Sequence, residues 1–440
     1  MPLLHELKLR FASDDDIFFQ PDHILHIPVV FIGLTSLLDL IQTKERLTKD
    51  AFAKQGLAAD DAGLLRQLGE SIDTGDLRSA VTSLLSGKMI VFHKPSETFI
   101  AVEAASKPLT RSVEEPSDES VIHGPRSAFN EDIDTNLGMV KRQLNSDKLA
   151  VKSYAVGANS RTRINLLYLE NQVEPALLTA IIGRFESNKE LDVCNLQQLS
   201  RMLGLPSWAA ISPYIRTELP QDTVHYLMRG KAVLLLDRFP CALVLPNDLW
   251  SMLAVQNDLN YPRLFTLSFR LLRLAGVLCH ILAPGLYVAV VSVNPEILRI
   301  EMALTVAQSR LGVPYPALVE TLILLFVLEM VMEASVRLPK SIGPTITMVG
   351  GIILGQAVVS AKLVSNLLII ILAAATIANF TISGFVNSIS IRLFKYVILL
   401  LAAFYGILGL LSGMVLVCAY VSSVTTFGIP YAQLARKSRG

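Results

Sequence analysis

The distribution of apolar residues divides the chain into two halves. After Arg273, five long apolar stretches follow one another to the C-terminus, each long enough to cross a ~30 Å hydrocarbon layer as a helix. They comprise residues 274–293, 317–332, 342–359, 363–382 and 397–420. One such helix can belong to a globular core, but five in series hardly can. The pattern therefore predicts an all-α polytopic membrane domain at residues 261–425, followed by a basic C-terminal tail at 426–440.

The charged residues support the same division. Only 15 of the 77 Lys, Arg, Asp and Glu residues follow Arg273. Residues 1–16 alternate apolar and charged positions and lack the apolar segment of a secretory signal. We therefore expect the N-terminal half to stay in the cytoplasm. Arg263, Arg270 and Arg273 directly precede the first stretch and agree with this, because cationic residues beside a span favour the cytoplasmic side.

The number of spans is open between four and five. Stretch 342–359 is short and is interrupted by Pro344 and three glycines. If it is re-entrant, four spans remain and the basic tail lies on the cytoplasmic side, in agreement with the charge rule. This arrangement is favoured. It makes 397–420 the last single span and places Arg392 and Lys395 in a loop on the outer side.

The soluble half shows signs of an internal duplication. A β-branched strand at 27–32 is followed by a helical stretch, the dipeptide Gly87-Lys88 and a second strand at 89–92. The same order recurs with a strand at 164–169, the dipeptide Gly230-Lys231 and a strand at 232–236. Chance similarity between common strand patterns is the alternative. The repeat predicts two related α/β subdomains at 1–110 and 151–260, joined by a linker and connecting helix at 111–150.

A series of short motifs runs along most of the chain in a fixed order. The longest is EEPSDESVIHGPRSAFNE at residues 114–131, followed by Thr135-Asn136 and Lys141-Arg142. The others lie at residues 212–222 (SPYIRTELPQD), 230–246, 310–320 (RLGVPYPALVE), 337–343, 380–382 and 427–431. Together these motifs resemble those of the A subunit of the GerA spore germination receptor family.

This resemblance implies the A subunit of a nutrient germinant receptor in the spore inner membrane, with its soluble half on the cytoplasmic, spore-core side. The implied partners are the B and C subunits of the receptor, further copies of the chain, membrane lipid and monovalent cations. The implied role is to couple nutrient recognition to monovalent cation release, as an oligomeric ion channel that triggers spore germination. Two alternatives from other classes are a secondary transporter or exporter and a non-conducting membrane signalling scaffold.

Polar residues inside the apolar stretches are the candidates for an ion path. They are Glu320, Glu329, Gln356 and Asn379. A carboxylate at membrane depth is costly enough to suggest a function. Glu320 and Glu329 are nine positions apart, which puts them on opposite faces of a helix, so they cannot both face one pore. The alternative for Glu329 is an interhelical or an i,i+4 ion pair, because Glu333 and Arg337 follow at intervals of four residues.

Two further patterns in the apolar half predict helix packing. Gly351 with Gly355, and Gly409 with Gly413, have the spacing that allows close helix contact, although such smooth faces are also suited to line a pore. His280 stands alone in the first stretch and is expected to be a packing residue with a satisfied hydrogen bond.

A second group of candidates lies between the two predicted subdomains. It consists of Arg126, Glu131, Lys141 and Arg142, which belong to the longest motif and to the segment after it. A subdomain or subunit contact is predicted for them, and a solvated surface is the alternative. No motif of a nucleotide-binding enzyme, zinc protease or serine hydrolase occurs, so no catalytic residue is predicted. The four cysteines are scattered and the net charge is +1, so no metal site, cofactor or nucleic acid is expected either.

Overall fold

The structure is a computed structural model. It describes residues 2–54, 60–105, 127–206, 208–254, 258, 260–338, 343–382 and 384–433. Most of the predicted linker, including Arg126, lies outside the described residues. The same is true of Lys340 and of the basic residues at the end of the predicted tail, Arg436, Lys437 and Arg439.

The first unit is a five-stranded antiparallel sheet with helices on both faces. Its strands have the spatial order β1-β2-β4-β5-β3. In chain order its elements are α1 (Pro2–Arg10), β1 (Ile17–Ile24), β2 (Ile27–Leu34), α2 (Leu40–Lys54), α3 (Asp61–Leu68), β3 (Glu70–Ile72), α4 (Leu77–Leu85), β4 (Met89–His93) and β5 (Thr98–Val102). Leu47 of α2 and Leu65 of α3 pack on one face of the sheet, and Leu7 of α1 and Leu84 of α4 pack on the other.

The second unit repeats the first element by element. Its elements are α5 (Ile133–Gln143), β6 (Leu149–Val156), β7 (Thr162–Leu169), α6 (Pro175–Ser187), α7 (Leu196–Met202), β8 (Ile215–Thr217), α8 (Pro220–Met228), β9 (Ala232–Leu236) and β10 (Ala242–Leu245). The strand order is β6-β7-β9-β10-β8. The equivalent strands of the first sheet have the same spatial order, and the pairing is again antiparallel. The predicted pair of related, sheet-containing subdomains is confirmed, whereas the exact domain boundaries stay predictions.

The repeated Gly-Lys dipeptide has the same structural role in both units. Gly87 follows α4 and Gly230 follows α8, with φ angles of 85° and 79°. Their amides donate to the carbonyl oxygens of Leu84 and Leu227, at 3.0 and 2.9 Å. A left-handed residue at this position ends a helix and turns the chain into the next strand, and glycine adopts that conformation without a side-chain clash.

The C-terminal half is helical, as the apolar stretches predict. After the short α9 (Leu249–Leu253) come α10 (Arg263–Val288), extended by a π-helical turn (Ala289–Val293), α11 (Ile300–Ser309), α12 (Ala317–Arg337), α13 (Gly343–Ser360), α14 (Asn366–Asn379) and α15 (Phe385–Ser423). By length and composition alone, the described segments 263–293 and 386–423 each suit a membrane-spanning helix. Helix α12 is long too, but it carries Glu320, Glu329 and Glu333.

Helix α15 is a hairpin of two antiparallel legs, residues 385–405 and 407–423. The chain reverses at Gly406, whose φ of 61° and ψ of −137° are not helical. The ring centroids of Phe394 and Tyr420 lie 5.8 Å apart, whereas 26 residues of straight helix span about 39 Å. A Cβ at Gly409 would lie 1.9 Å from the carbonyl oxygen of Leu401, so glycine lets the legs touch. The prediction of one span at 397–420 is therefore wrong, because apolar composition does not reveal a reversal.

Contacts along the helices define two ends of the helical half. At the near end, beside the second sheet, the Arg273 guanidinium donates to the Leu253 carbonyl (3.0 Å) and Ile391 packs near Met252. At the far end, Asn294 meets the turn at Gly406. Three segments run from the near end to the far end: α10, α13 and the first leg of α15. Three segments run back from the far end to the near end: α12, α14 and the second leg of α15. The described chain thus crosses the helical half six times and ends beside the soluble half.

Two short strands fasten the end of the last helix to the second unit. They are β11 (Thr425–Thr426) and β12 (Ile429–Pro430), and Phe427 at their turn packs against the core of the second sheet. The Tyr420 hydroxyl accepts a hydrogen bond from the Ala210 amide (2.9 Å), and the Tyr431 carbonyl accepts one from the Leu249 amide (3.0 Å). The soluble and helical halves are therefore joined at both the start and the end of the helical region.

Candidate functional site

Glu320 lies at the far end and is fully buried in the first turn of α12. One carboxylate oxygen accepts a hydrogen bond from the Ser365 amide at 2.6 Å. The other lies 3.4 Å from Nε of Arg310. Ser365 is the N-cap of α14, so the carboxylate lies where two helices begin, and the partial positive charge of a helix N-terminus favours an anion there. Glu320 thus joins the segments around α11, α12 and α14.

Glu329 lies toward the near end, in an ion cluster between α12 and the first leg of α15. Its carboxylate accepts hydrogen bonds from Arg392 (2.7 Å), Lys395 (3.2 Å) and the Tyr396 hydroxyl (3.3 Å). The side chain of Lys395 is only 4% exposed, and that of Glu329 is 29% exposed. The expectation that Arg392 and Lys395 lie in an outer loop is wrong, because both are on a helix at the end beside the soluble half.

The expected pair at i,i+4 spacing forms one turn further along α12. The guanidinium of Arg337 lies 2.6 Å from the carboxylate of Glu333, and both side chains are exposed. Glu329 does not take part, because its carboxylate is held across the helix interface. Glu320, Glu329 and Glu333 of α12 each form an ion contact, and the local spacing predicts only that of Glu333.

His280 and Asn379 make two separate buried polar contacts, the first between α10 and α14 and the second between α14 and α15. Nδ1 of His280 lies 2.7 Å from the Ala375 carbonyl oxygen, and the Asn379 side-chain amide donates to the Ser388 hydroxyl at 2.7 Å. Both residues are almost completely buried, which agrees with the expected packing role of His280. Nε2 of His280 and Oδ1 of Asn379 have no hydrogen-bond partner among the described residues.

Gln356 occupies a different environment, on the open side of α13. It is exposed, and a Cβ added at Gly350, Gly351 or Gly355 would meet no described atom within 4 Å. The pairs Gly351 with Gly355 and Gly409 with Gly413 therefore differ: the second pair packs inside the α15 hairpin, and the first is unpacked within this chain. Of the four candidates in the apolar half, Gln356 is the one on an open surface.

Lys141 lies at the junction of the two sheets in the soluble half. This residue of α5 is 3% exposed, and its ammonium group contacts the carboxylates of Asp14 and Asp16, each at 2.8 Å. Asp16 also accepts hydrogen bonds from the amide and hydroxyl of Ser36, at 3.0 and 2.6 Å. Burial raises the pKa of the Asp14 carboxyl above its ordinary range, and the nearby Lys141 opposes this shift. The cation therefore neutralises two carboxylates that water cannot reach.

The segment around Asp14 also reaches the second sheet through its backbone. Asp14 forms an isolated parallel bridge with Val151 of β6, and the Asp15 amide donates to the Val151 carbonyl at 2.8 Å. The Asp15 carboxylate accepts from the Ser153 amide at 2.8 Å. Lys141 thus lies under a contact between the two units.

The other predicted contact residues are placed differently. Glu131 is exposed, and its carbonyl oxygen accepts a hydrogen bond from the Arg238 amide at 2.8 Å. Arg142 is exposed on the last turn of α5, next to the buried Lys141. Arg126 lies outside the described residues. Of the two neighbouring cationic residues Lys141 and Arg142, only Lys141 is enclosed by the contact between the two units.

Some structurally important residues carry no signal that single-sequence reasoning detects. Asn294 reaches the turn of α15, where its side-chain oxygen accepts a hydrogen bond from the Ile407 amide at 3.1 Å and caps the second leg. A Cβ at Gly406 would lie 1.9 Å from the same oxygen. Lys231 of the second Gly-Lys dipeptide is buried 2.7 Å from Asp248, the N-cap of α9. The repeated Gly-Lys dipeptide identifies Lys231 in the sequence, but it does not identify Asp248 as its partner.

One buried carboxyl of the soluble half gives a pH-dependent prediction. Burial raises the pKa of Asp222 to about 6. Between pH 3.8 and 6 the folded chain holds a proton that the unfolded chain has lost, so stability falls as pH rises through this window. We expect Asp222→Asn to stabilise the protein by about 3 kcal/mol at pH 7 and not at all below pH ~4. Thermal unfolding of the purified chain at several pH values measures this.

His225 lies on the same helix as Asp222 and makes the stability depend on pH in the opposite direction. Burial lowers its pKa to about 4, so the unfolded chain binds more protons between pH 6.5 and 4 and stability is lost as pH falls through that range. In Asp222→Asn this loss is no longer offset, and acidification should destabilise the variant more than the wild type. Asp50→Asn serves as the control, because this carboxylate is exposed and its replacement should change the free energy of unfolding by less than about 0.5 kcal/mol. Equal pH profiles for all three proteins would contradict the assignment.

The described residues contain no cluster of three or more His, Cys, Asp or Glu side chains that fits a metal ion.

A family model for the Bacillus/Clostridium GerA spore germination protein matches residues 5–438. The chain is 30% identical over 352 residues to the spore germination protein GerLA of Bacillus cereus, covering 80% of this chain and 71% of that protein. It is 29% identical over 394 residues to the spore germination protein A1 of Bacillus subtilis (strain 168), covering 89% and 79%.

One solved structure is also similar. It is the crystal structure of the N-terminal domain of the A subunit of the Bacillus megaterium spore germinant receptor GerK3. The match has 20% sequence identity and a TM-score of 0.40, and it covers 55% of this chain and 92% of that domain.

Proposed function

Because this chain belongs to the Bacillus/Clostridium GerA spore germination protein family, we propose that it is the A subunit of a nutrient germinant receptor. In this proposal several copies surround a path for monovalent cations in the spore inner membrane, and opening of the path triggers germination. The soluble half faces the spore core, and the B and C subunits complete the receptor. The role is not enzymatic: the chain converts nutrient recognition into ion release.

The enclosed charges of the helical half support a path between copies and not through one copy. Glu320 is fully buried, and Glu329 is held by Arg392 and Lys395 inside the helix bundle. Both carboxylates have cationic neighbours, although Oε2 of Glu320 has no hydrogen-bond partner among the described residues, and removing the partner of a buried charge costs several kcal/mol. We infer that these two carboxylates hold the helices in place beside the path.

The open face of α13 is the observation that carries the proposal. A Cβ added at Gly350, Gly351 or Gly355 would meet no described atom within 4 Å, and Gln356 is exposed on the same helix. Small residues let helices of neighbouring copies approach closely, and a side-chain amide offers an oxygen to a cation in an otherwise apolar lining. In the assembled receptor, α13 of each copy would line the path. Asn379 stays a second candidate, because its side-chain oxygen lacks a described partner.

Ion flux tests this proposal and its two alternatives. The protein is purified with its B and C partners, placed in vesicles loaded with K⁺, and the efflux is followed after nutrient addition. We expect uncoupled efflux, and Gln356→Leu should slow it about tenfold at normal protein abundance, the effect of losing one ~1.4 kcal/mol contact. Gln308→Leu is the control, because that exposed glutamine lies on α11, and its efflux should equal that of the wild type.

The other outcomes assign the protein to a different class. Saturable exchange of a substrate would indicate a secondary transporter, and absence of any flux from the complete receptor would indicate a signalling scaffold. Equal efflux from Gln356→Leu and Gln308→Leu would remove α13 from the path.

A further inference from the structure

Most side chains of helix α11 fall on three faces, and Met302, which is 58% exposed, lies between the polar face and the inward face. Ile300, Leu304 and Leu311 follow one another at helical spacing, on α11 and just beyond its end, and are 81%, 58% and 72% exposed. A polar strip runs beside them, formed by Glu301, Thr305 and Gln308, and it is exposed too. The inward face, with partly buried Ala303, Val306 and Arg310, turns toward the start of α14. An apolar strip and a polar strip are therefore both open along one short helix.

The location of α11 explains why both strips are open. The chain enters it from the far end of α10 and leaves it into the far end of α12, so α11 lies across the end of the bundle opposite the soluble half. The two helices that flank α11 in the chain also expose apolar side chains near their far ends: Leu286 and Val293 of the α10 segment are 46% and 36% exposed, and Val319 of α12 is 38% exposed.

Arg310 holds α11 in this position. Its guanidinium donates to the Tyr315 carbonyl at 3.0 Å, and Nε lies 3.4 Å from the buried carboxylate of Glu320. The anchor is on the inward face, so it does not cover the apolar strip. The helix is fixed against the bundle, while its outer surface has no described protein neighbour.

From these observations we propose that α11 is a membrane-surface helix whose Ile300 strip rests on the acyl chains of phospholipid and whose Glu301 strip faces water. A helix with separate apolar and polar sides lies in the plane of the interface, about 5–10 Å into the headgroup boundary. Lipid is the occupant that fits, because α11 follows the segment 263–293, which is long and apolar enough for a membrane-spanning helix. The inference requires the helical half to lie in a membrane but does not depend on ion conduction.

Quenching by brominated lipid distinguishes the two strips. Trp208 and Trp250 are the chain's only tryptophans, and both are replaced by Phe in the full-length protein. Leu304→Trp and Thr305→Trp are then placed in vesicles of phosphatidylcholine and phosphatidylglycerol, with or without bromine on the acyl chains. We expect bromine to reduce the fluorescence of Leu304→Trp by about half and that of Thr305→Trp by less than about a tenth.

Phe326→Trp provides the reference for membrane insertion, because Phe326 is 65% exposed on the outer side of α12. Quenching of the reference with none at Leu304→Trp would overturn the inference and would point to a covering protein or to water. Equal quenching at positions 304 and 305 would overturn the surface orientation. No quenching of Phe326→Trp would refute both the membrane placement of the proposed function and this inference.

Discussion

Replacing Lys141 with methionine is expected to lower the free energy of unfolding by about 3–5 kcal/mol, because it leaves Asp14 and Asp16 buried without their shared cation. The melting temperature of the purified full-length protein should fall by roughly 10 °C. Amide hydrogen exchange should increase most in residues 10–17 and 149–153, where the two units meet. This pattern separates loss of the contact between units from general destabilisation.

Arg142→Met is the matched control for this experiment. The two residues are neighbours on α5, but Arg142 is exposed, so its replacement should change stability by less than about 0.5 kcal/mol. A double-mutant cycle with Asp14→Asn tests the pair directly: Lys141→Met should cost less when one carboxylate is already neutral. Equal effects of the Lys141 and Arg142 replacements would show that the buried cluster does not hold the units together.

The second large effect is expected at Glu320. Glu320→Ala removes the acceptor of the Ser365 amide and the partner of Arg310 in one step, at a site with no solvent exposure. We expect a cost of about 3–5 kcal/mol and strongly reduced abundance of the protein in membranes. Glu320→Gln keeps an acceptor but loses the ion pair, so its abundance should lie between that of Glu320→Ala and that of the wild type.

Glu333→Gln is the control on the same helix. It breaks an exposed ion pair with Arg337, and such surface pairs contribute at most about 1 kcal/mol. Vesicle efflux distinguishes the two roles considered for Glu320. Normal abundance with slowed cation release in Glu320→Gln would favour direct participation in the ion path. Normal abundance with normal cation release would exclude both direct participation of Glu320 in the ion path and a role in holding the helices in place.

Sequence patterns predict the fold where the determining interactions are local. The Gly-Lys dipeptides identify both repeats, because each glycine ends a helix by its own backbone conformation. No comparable sequence motif identifies strands β1 and β6 or helix α1, so the sequence pattern does not predict these three elements. The far-end reversal at Gly406 is missed for a different reason: glycine is common in apolar helices, and its role depends on Asn294, more than 100 residues earlier.

The candidate residues follow the same rule. The pair Glu333 with Arg337 is predictable from spacing, because both residues belong to one helix. The partners of Glu329 lie 63 to 67 positions later in the chain, and they become its neighbours only through the packing of α15 on α12. Burial of Glu320 likewise depends on the start of α14. Sequence reasoning identifies these carboxylates by their cost in an apolar segment, but their partners require the tertiary structure.

The return of the last helix to the second sheet has a mechanical consequence. That sheet is attached to the helical half through α9, which leads into α10, and through Tyr420 and the β11–β12 hairpin at the end of α15. A rigid body held by two different helices cannot rotate without changing the angle between them. A change in the orientation of the second sheet would therefore reach the helical half at two places, through Arg273 on α10 and through Tyr420 on the second leg of α15.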